Sequence, residues 1–146
     1  MSKYPLLIMF ALLVLSALLA WVYSVPFGLG YVGVLAGWSL LLAGAFMVVV
    51  SASVFRRRGT PVDPTKPPDK LVTDGLYRVS RNPMYLGMLL VLSAFPLIAD
   101  SMLGVVFPLG FFLFMDRKLI PREENMVEGI FGEQFREYKQ NTRRWI

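Results

Sequence analysis

The stretch Gly30 to Arg58, GYVGVLAGWSLLLAGAFMVVVSASVFRRR, carries no charge until it ends in Arg56, Arg57 and Arg58. From Gly30 to Phe55 it is long enough, at about 1.5 Å of rise per residue, to cross the roughly 30 Å hydrocarbon core of a bilayer as one helix. Three consecutive arginines then stop it and mark the side on which it stops, because cytoplasmic loops collect Lys and Arg. Gly33, Gly37 and Gly44 give the helix small surfaces that another helix can approach. The Gly33-x-x-x-Gly37 spacing is expected to serve packing within the chain rather than dimerisation.

Upstream, a first apolar span of about 6–23 follows Lys3. A basic start before an apolar run also describes a signal peptide. However, Leu18 stands where a small residue is needed ahead of a cleavage near Ala20, and Trp21 and Tyr23 resemble an interfacial belt, so a retained helix is expected. The turn at Pro26, Phe27 and Gly28 is uncharged. Downstream, residues 56–82 form an aqueous loop, since Pro61, Pro64, Pro67 and Pro68 interleaved with Asp63, Lys66, Asp69 and Lys70 forbid a continuous helix. Such a long connection suits a lid, a binding loop or a linker. The apolar run from Met84 to Met115 is interrupted by Pro96 and Asp100 and divides into two short arms, 83–98 and 101–116, predicted to form a hairpin. In the tail, 117–146, Phe131, Phe135 and Tyr138 recur at near-helical spacing among Glu133, Arg136, Glu137 and Lys139. This predicts one amphipathic helix, at the interface or packed on the bundle.

The expected fold is therefore all-α: a polytopic membrane helical bundle over 1–146, with four transmembrane segments, the last two a short hairpin, and a C-terminal amphipathic helix. Threaded this way, all fifteen Lys and Arg fall on the cytoplasmic side with both termini, and Asp100 alone is charged on the other. Composition agrees, since 55% hydrophobic residues and a mean hydropathy of +0.55 are too apolar for a soluble domain of this size. With no Cys and no His there is no thiolate or imidazole for nucleophilic, metal or neutral-pH proton chemistry. A net charge of +5 reads as topology signal and contact with anionic lipid headgroups rather than nucleic-acid binding. No metal is expected. Oligomeric state is not legible.

Two polar clusters fall on the cytoplasmic side: Asp74-Gly75-Leu76-Tyr77-Arg78-Val79-Ser80-Arg81-Asn82-Pro83-Met84-Tyr85-Leu86-Gly87, and Arg122-Glu123-Glu124 with Gly132 to Trp145. The order Gly-x-Tyr-Arg-x-x-Arg-x-Pro-x-Tyr, then Glu-Glu, then Phe-Gly-x-x-Phe-x-x-Tyr and a closing Arg-Arg-Trp resembles the isoprenylcysteine carboxyl methyltransferase and phospholipid methyltransferase superfamily over roughly Leu71 to Ile146. The resemblance implies S-adenosylmethionine as methyl donor, held at the cytoplasmic face, and a lipophilic substrate reached from the bilayer. It implies Tyr77, Arg81, Asn82, Pro83, Tyr85 and Glu124 as cofactor-binding residues, and Arg78, Glu123 and Arg144 as catalytic neighbours. One position departs: the superfamily most often has His between Arg and Pro, where this chain has Asn82, which hydrogen-bonds but does not titrate near neutrality.

The residues also speak without the resemblance. Asn82-Pro83 is a strong helix start, with Asn as N-cap and Pro in the first turn, and its free N–H groups beside Arg81 suit a carboxylate. Glu123 and Glu124 suit ribose hydroxyls, an ammonium, or an Arg to be held in place. Methyl transfer is an in-line displacement that depends on positioning; a carboxylate acceptor needs no base, whereas an ammonium must first lose a proton. Taken singly, each feature has a blander role: Arg78 and Arg81 as topology charges, Tyr77 and Tyr85 as belt aromatics, Glu123 and Glu124 as first-turn acids after Pro121, Arg143-Arg144-Trp145 as an anchor. Two rival functions stand beside methyl transfer: a nicotinamide-dependent membrane reductase, against which the short chain argues, and a non-catalytic module of the same fold, which Asn82 keeps open. The acceptor, whether isoprenylcysteine carboxylate, phospholipid amine or small thiol, is not legible.

Overall fold

The computed structural model describes residues 4–23, 25–59 and 68–146. Lys3 and most of the proline-rich segment, Pro61, Asp63, Pro64, Lys66 and Pro67 included, lie outside the described residues. Among the described residues six α-helices follow one another: α1 Tyr4–Val22, α2 Gly30–Arg57, α3 Pro83–Ile98, α4 Val106–Phe114, α5 Ile120–Phe131 and α6 Glu133–Asn141. Among the described residues there is no β-strand, only one isolated parallel bridge between Ser80 and Arg143. The all-helical expectation is met.

α1 and α2 are each long and apolar enough to cross a membrane, and only 17% of each apolar window is buried. Trp21 is 85% and Tyr31 89% exposed, and Leu7, Phe10, Leu35, Leu42 and Phe46 also face outward. An apolar surface this continuous needs a partner, and for two such helices lipid is the fitting one. α3 is apolar but shorter.

Glycine decides how α2 meets α3. A Cβ built on Gly44 would lie 2.5 Å from the Gly87 carbonyl oxygen, and one on Gly87 would lie 2.7 Å from that of Gly44. The two backbones therefore touch. Higher up, Gly37 packs under Ile98 and Ala94 in the same way, so the small-residue stripe is used inside the chain, as expected. α1 and α4 close the other side of α3 around Met9, Tyr85, Met88, Leu92, Phe111, Met115 and Ile120.

The two turns at one end of the bundle are tied by Asp100, whose backbone adopts a φ of +46°. Its Oδ1 accepts the Phe27 N–H at 2.9 Å and the Gly28 N–H at 3.2 Å, and the Met102 N–H reaches the Val25 carbonyl at 2.8 Å. Two expectations need correction. The arm expected at 101–116 starts as a 3₁₀ turn, Met102–Val105, and runs on through a π turn, Met115–Leu119, directly into α5, so there is no break at the charges. The cause is Pro121, whose ring and missing N–H are accommodated by a wider turn. The single tail helix is in fact two, bent at Gly132, where φ +53° and ψ −118° suit only glycine.

Candidate active site

The site forms where the strand-like link before α3 meets the tail. Gly75–Arg78 is one 3₁₀ turn that buries Tyr77 against Phe55 at the end of α2, with ring centroids 5.3 Å apart. Ser80 to Asn82 then run beside the tail. The Arg81 N–H donates to the Arg143 carbonyl at 2.9 Å, and Ser80 Oγ donates to the Arg144 carbonyl at 3.2 Å while accepting the Asn82 N–H at 3.1 Å.

Asn82 occupies the helix N-cap as expected, but its side chain does not cap. It turns away, and Nδ2 donates to the Arg144 carbonyl at 3.1 Å. Among the described residues the Arg81 side chain makes four hydrogen bonds: Nε and Nη2 to Glu124 Oε1 at 3.2 and 2.8 Å, and Nη1 to the carbonyls of Lys139 and Thr142. Arg144 grips the same carboxylate from the other side, with Nη2 2.9 Å from Oε2. Burial pushes the Glu124 carboxyl up, but the hydrogen bonds from Arg144 and Arg81 outweigh it and hold the group below its ordinary range.

Glu123, one residue earlier on α5, lives differently. Its Oε1 accepts the Tyr85 hydroxyl at 2.6 Å, and among the described residues it forms no ion pair. Burial pushes its carboxyl up to about 7; the Tyr85 hydrogen bond opposes the rise and the neighbouring Glu124 charge adds to it. Burial likewise raises Tyr77 and Tyr138, whose hydroxyl donates to the Tyr77 carbonyl at 2.6 Å.

These groups surround a cavity of about 160 Å³ lined by Tyr77, Arg81, Asn82, Tyr85, Glu123 and Glu124, with apolar walls from Phe55, Val72, Met84, Met126, Val127 and Phe135. Six of the nine sequence-expected residues thus meet. Arg144 stands behind Glu124, Pro83 is buried in the first turn of α3, and Arg78 is exposed and outside the lining. Sequence reasoning missed Phe55, Val72, Met126 and Val127, which carry no chemical signal. It also missed Asp116, which accepts Arg144 and Trp145. Phe135 and Tyr138 were visible as a helical stripe and within the Phe-Gly-x-x-Phe-x-x-Tyr motif, but without a role in the site.

Residues 32–134 match the phospholipid methyltransferase family, more than half of the chain. The chain belongs to that family. The match includes Glu123 and Glu124 of α5 and the whole of Tyr77 to Tyr85, and it ends before the tail segment that holds Arg81. A methanethiol S-methyltransferase of Pseudomonas deceptionensis is 31% identical over 112 residues, 73% of this chain; the chain spans 40% of the length of that relative. An uncharacterized protein of Haemophilus influenzae is 40% identical over 63 residues, 43% of this chain and its own full length. No solved structure matches. Family membership and the two long apolar helices together make this a membrane-associated protein of a methyltransferase family.

Proposed function

We propose that this chain is an S-adenosylmethionine-dependent membrane methyltransferase whose donor occupies the cavity between Tyr77 and Phe135, and whose acceptor is a nucleophile that must lose a proton. In this reading α1, α2 and the α3–α4 hairpin cross the bilayer. Both ends and the cavity face the cytoplasm, where Arg56, Arg57, Arg117, Lys118 and Arg122 meet anionic headgroups.

The observation that carries the reading is Glu123: a half-buried acid facing a largely apolar cavity, with a tyrosine but no ion-pair partner among the described residues. A carboxylate partly withdrawn from water without a countercharge is costly, and a cationic ligand lowers the cost. The lining fits the donor by its chemistry. Glu123 answers a sulfonium or ammonium, the rings of Phe55, Tyr77 and Phe135 offer flat surfaces to an adenine, Lys70 at the rim suits a carboxylate, and Asn82 keeps its Oδ1 as an acceptor. When bound, the donor supplies an electrophilic methyl group on sulfur, so the protein's work is alignment, exclusion of water and proton management.

The same residues discriminate among acceptors. The guanidinium of Arg81 is taken up by Glu124 and backbone carbonyls, and that of Arg144 by Glu124 and Asp116, which leaves neither free to hold a carboxylate acceptor. Glu123 would also repel one. An amine or thiol, by contrast, gives its proton to Glu123 as its lone pair takes the methyl group. The activity of the Pseudomonas deceptionensis relative, as its name gives it, makes a small thiol the first acceptor to try.

Calorimetric titration of the purified protein with S-adenosylhomocysteine is the direct test. Binding is expected, and reduced nicotinamide cofactors should not bind. Failure of the folded protein to bind the demethylated donor would remove the proposal. Incubating membranes with methyl-labelled donor then identifies the acceptor, and label recovered on a carboxylate ester would refute the proton-bearing class.

A further inference from the structure

Pro121 lies in the first turn of α5 and has no N–H to give. In the π turn before it, the Ile120 N–H reaches back five residues to the Met115 carbonyl. The next N–H in that register would come from position 121 and meet the Asp116 carbonyl. Proline supplies none, so this carbonyl has lost its helical donor, and a backbone acceptor without a donor is rarely left so. Arg144 fills the gap: Nη1 donates to the Asp116 carbonyl at 3.3 Å and to Asp116 Oδ1 at 3.1 Å. Trp145 Nε1 adds a bond to the same Oδ1 at 3.0 Å and packs its ring 5.1 Å from Phe112, one turn earlier. Met115 and Ile120, which flank the wide turn, are fully buried, so the core fixes its place.

We propose that this arrangement is a latch: Pro121 opens a backbone acceptor in the helix, the tail docks on it through Arg144 and Trp145, and docking completes the cavity. Pro121 and Asp116 are positioning residues, since neither lines the cavity. They act through the tail. Its carbonyls at Thr142, Arg143 and Arg144 receive the Arg81 side chain, the Arg81 N–H and Asn82 Nδ2, and its guanidinium shares Glu124 with Arg81. An undocked tail would strip acceptors from two cavity residues and a cation from a third, and such networks weaken together. The latch itself does not depend on what the cavity binds; its effect on affinity rests on the proposed donor.

The chain has three tryptophans, and Trp21 and Trp38 are exposed, so Trp21→Phe and Trp38→Phe leave Trp145 as the sole reporter. In that background, Pro121→Ala gives position 121 an N–H that competes with Arg144 for the Asp116 carbonyl. Quenching of Trp145 by acrylamide should rise severalfold, while the thermal midpoint in detergent stays level or rises because Ala favours helix over Pro. Asp116→Asn keeps the carbonyl but loses the charge on Oδ1, and should raise quenching to a smaller degree even if the proline variant folds poorly. Affinity for S-adenosylhomocysteine should fall about tenfold with Pro121→Ala, the equivalent of one charge-assisted hydrogen bond. Trp145 as protected in both variants as in the parent would overturn the latch, and heavier quenching with unchanged affinity would overturn its link to the cavity. A parent protein that does not bind S-adenosylhomocysteine would sink the donor reading instead, leaving quenching to decide the latch.

Discussion

Glu123 and Glu124 are adjacent on α5, yet two arginines hold Glu124 ionised while burial favours the protonated form of Glu123. This difference has a measurable sign. A group whose folded-state value lies above its ordinary 4.5 costs nothing below that value, opposes folding increasingly up to about pH 7, and by a constant amount beyond. Glu123→Gln should therefore unfold at a higher temperature than the parent at pH 8, by up to about 3 kcal/mol of stability, with the gap closing near pH 4. Methyl transfer should respond the opposite way, lost in Glu123→Gln and, in the parent, rising with pH through about 7. Tyr85→Phe removes the hydrogen bond that opposes the rise, so the ascending limb of its pH profile should move to higher pH; an unmoved limb would dissociate Glu123 from the proton. The resemblance separates Glu124 from Glu123, and the residues alone offer an Arg to be held, but nothing in the sequence says which acid is paired and which is left without a cation. The asymmetry comes from Arg81, 43 residues upstream, and Arg144, 20 downstream.

At the scale of the helices, the α2–α3 contact is the least forgiving. Gly44 and Gly87 sit backbone to backbone, and a methyl group on either meets a carbonyl oxygen that cannot swing aside. Gly44→Ala or Gly87→Ala should cost about 1–3 kcal/mol, read as a lowered thermal midpoint in detergent, whereas Gly110→Ala, with open space at the same distance, should be close to neutral or mildly stabilising. Equal midpoints across the three variants would remove glycine packing as the reason these helices touch. The small-residue spacing was readable in advance because it repeats along one strip of α2. The π turn was not, since it depends on a single residue's backbone preference rather than on any pattern of apolar side chains. Asn82-Pro83 was half legible: proline fixed the start of α3, but the asparagine side chain serves the tail, a partner 62 residues away in the chain.

Across the whole molecule, Asp100 and the cavity lie at opposite ends of the bundle, and this polarity makes the topology testable. Asp100 ties the α1–α2 turn to the α3–α4 turn with two backbone N–H bonds, whereas Arg56, Arg57, Arg117, Lys118 and Arg122 cluster at the end that holds Glu123. Moving that basic end across a bilayer would violate the bias that places Lys and Arg in the cytoplasm, so the proposed orientation fixes the cavity on the inner side. The chain lacks cysteine, so single thiols report without background. Leu29→Cys, in the α1–α2 turn, and Glu137→Cys, on the exposed face of α6, are both accessible positions. In intact cells, a membrane-impermeant maleimide should label Leu29→Cys and leave Glu137→Cys unreacted until the membrane is opened. The reverse pattern would place the cavity outside, away from the cell's supply of methyl donor, and the proposed activity would fall with the orientation. Labelling of both positions in intact cells would show instead that α1 and α2 do not form a spanning hairpin, because the two sites lie at opposite ends of the same bundle.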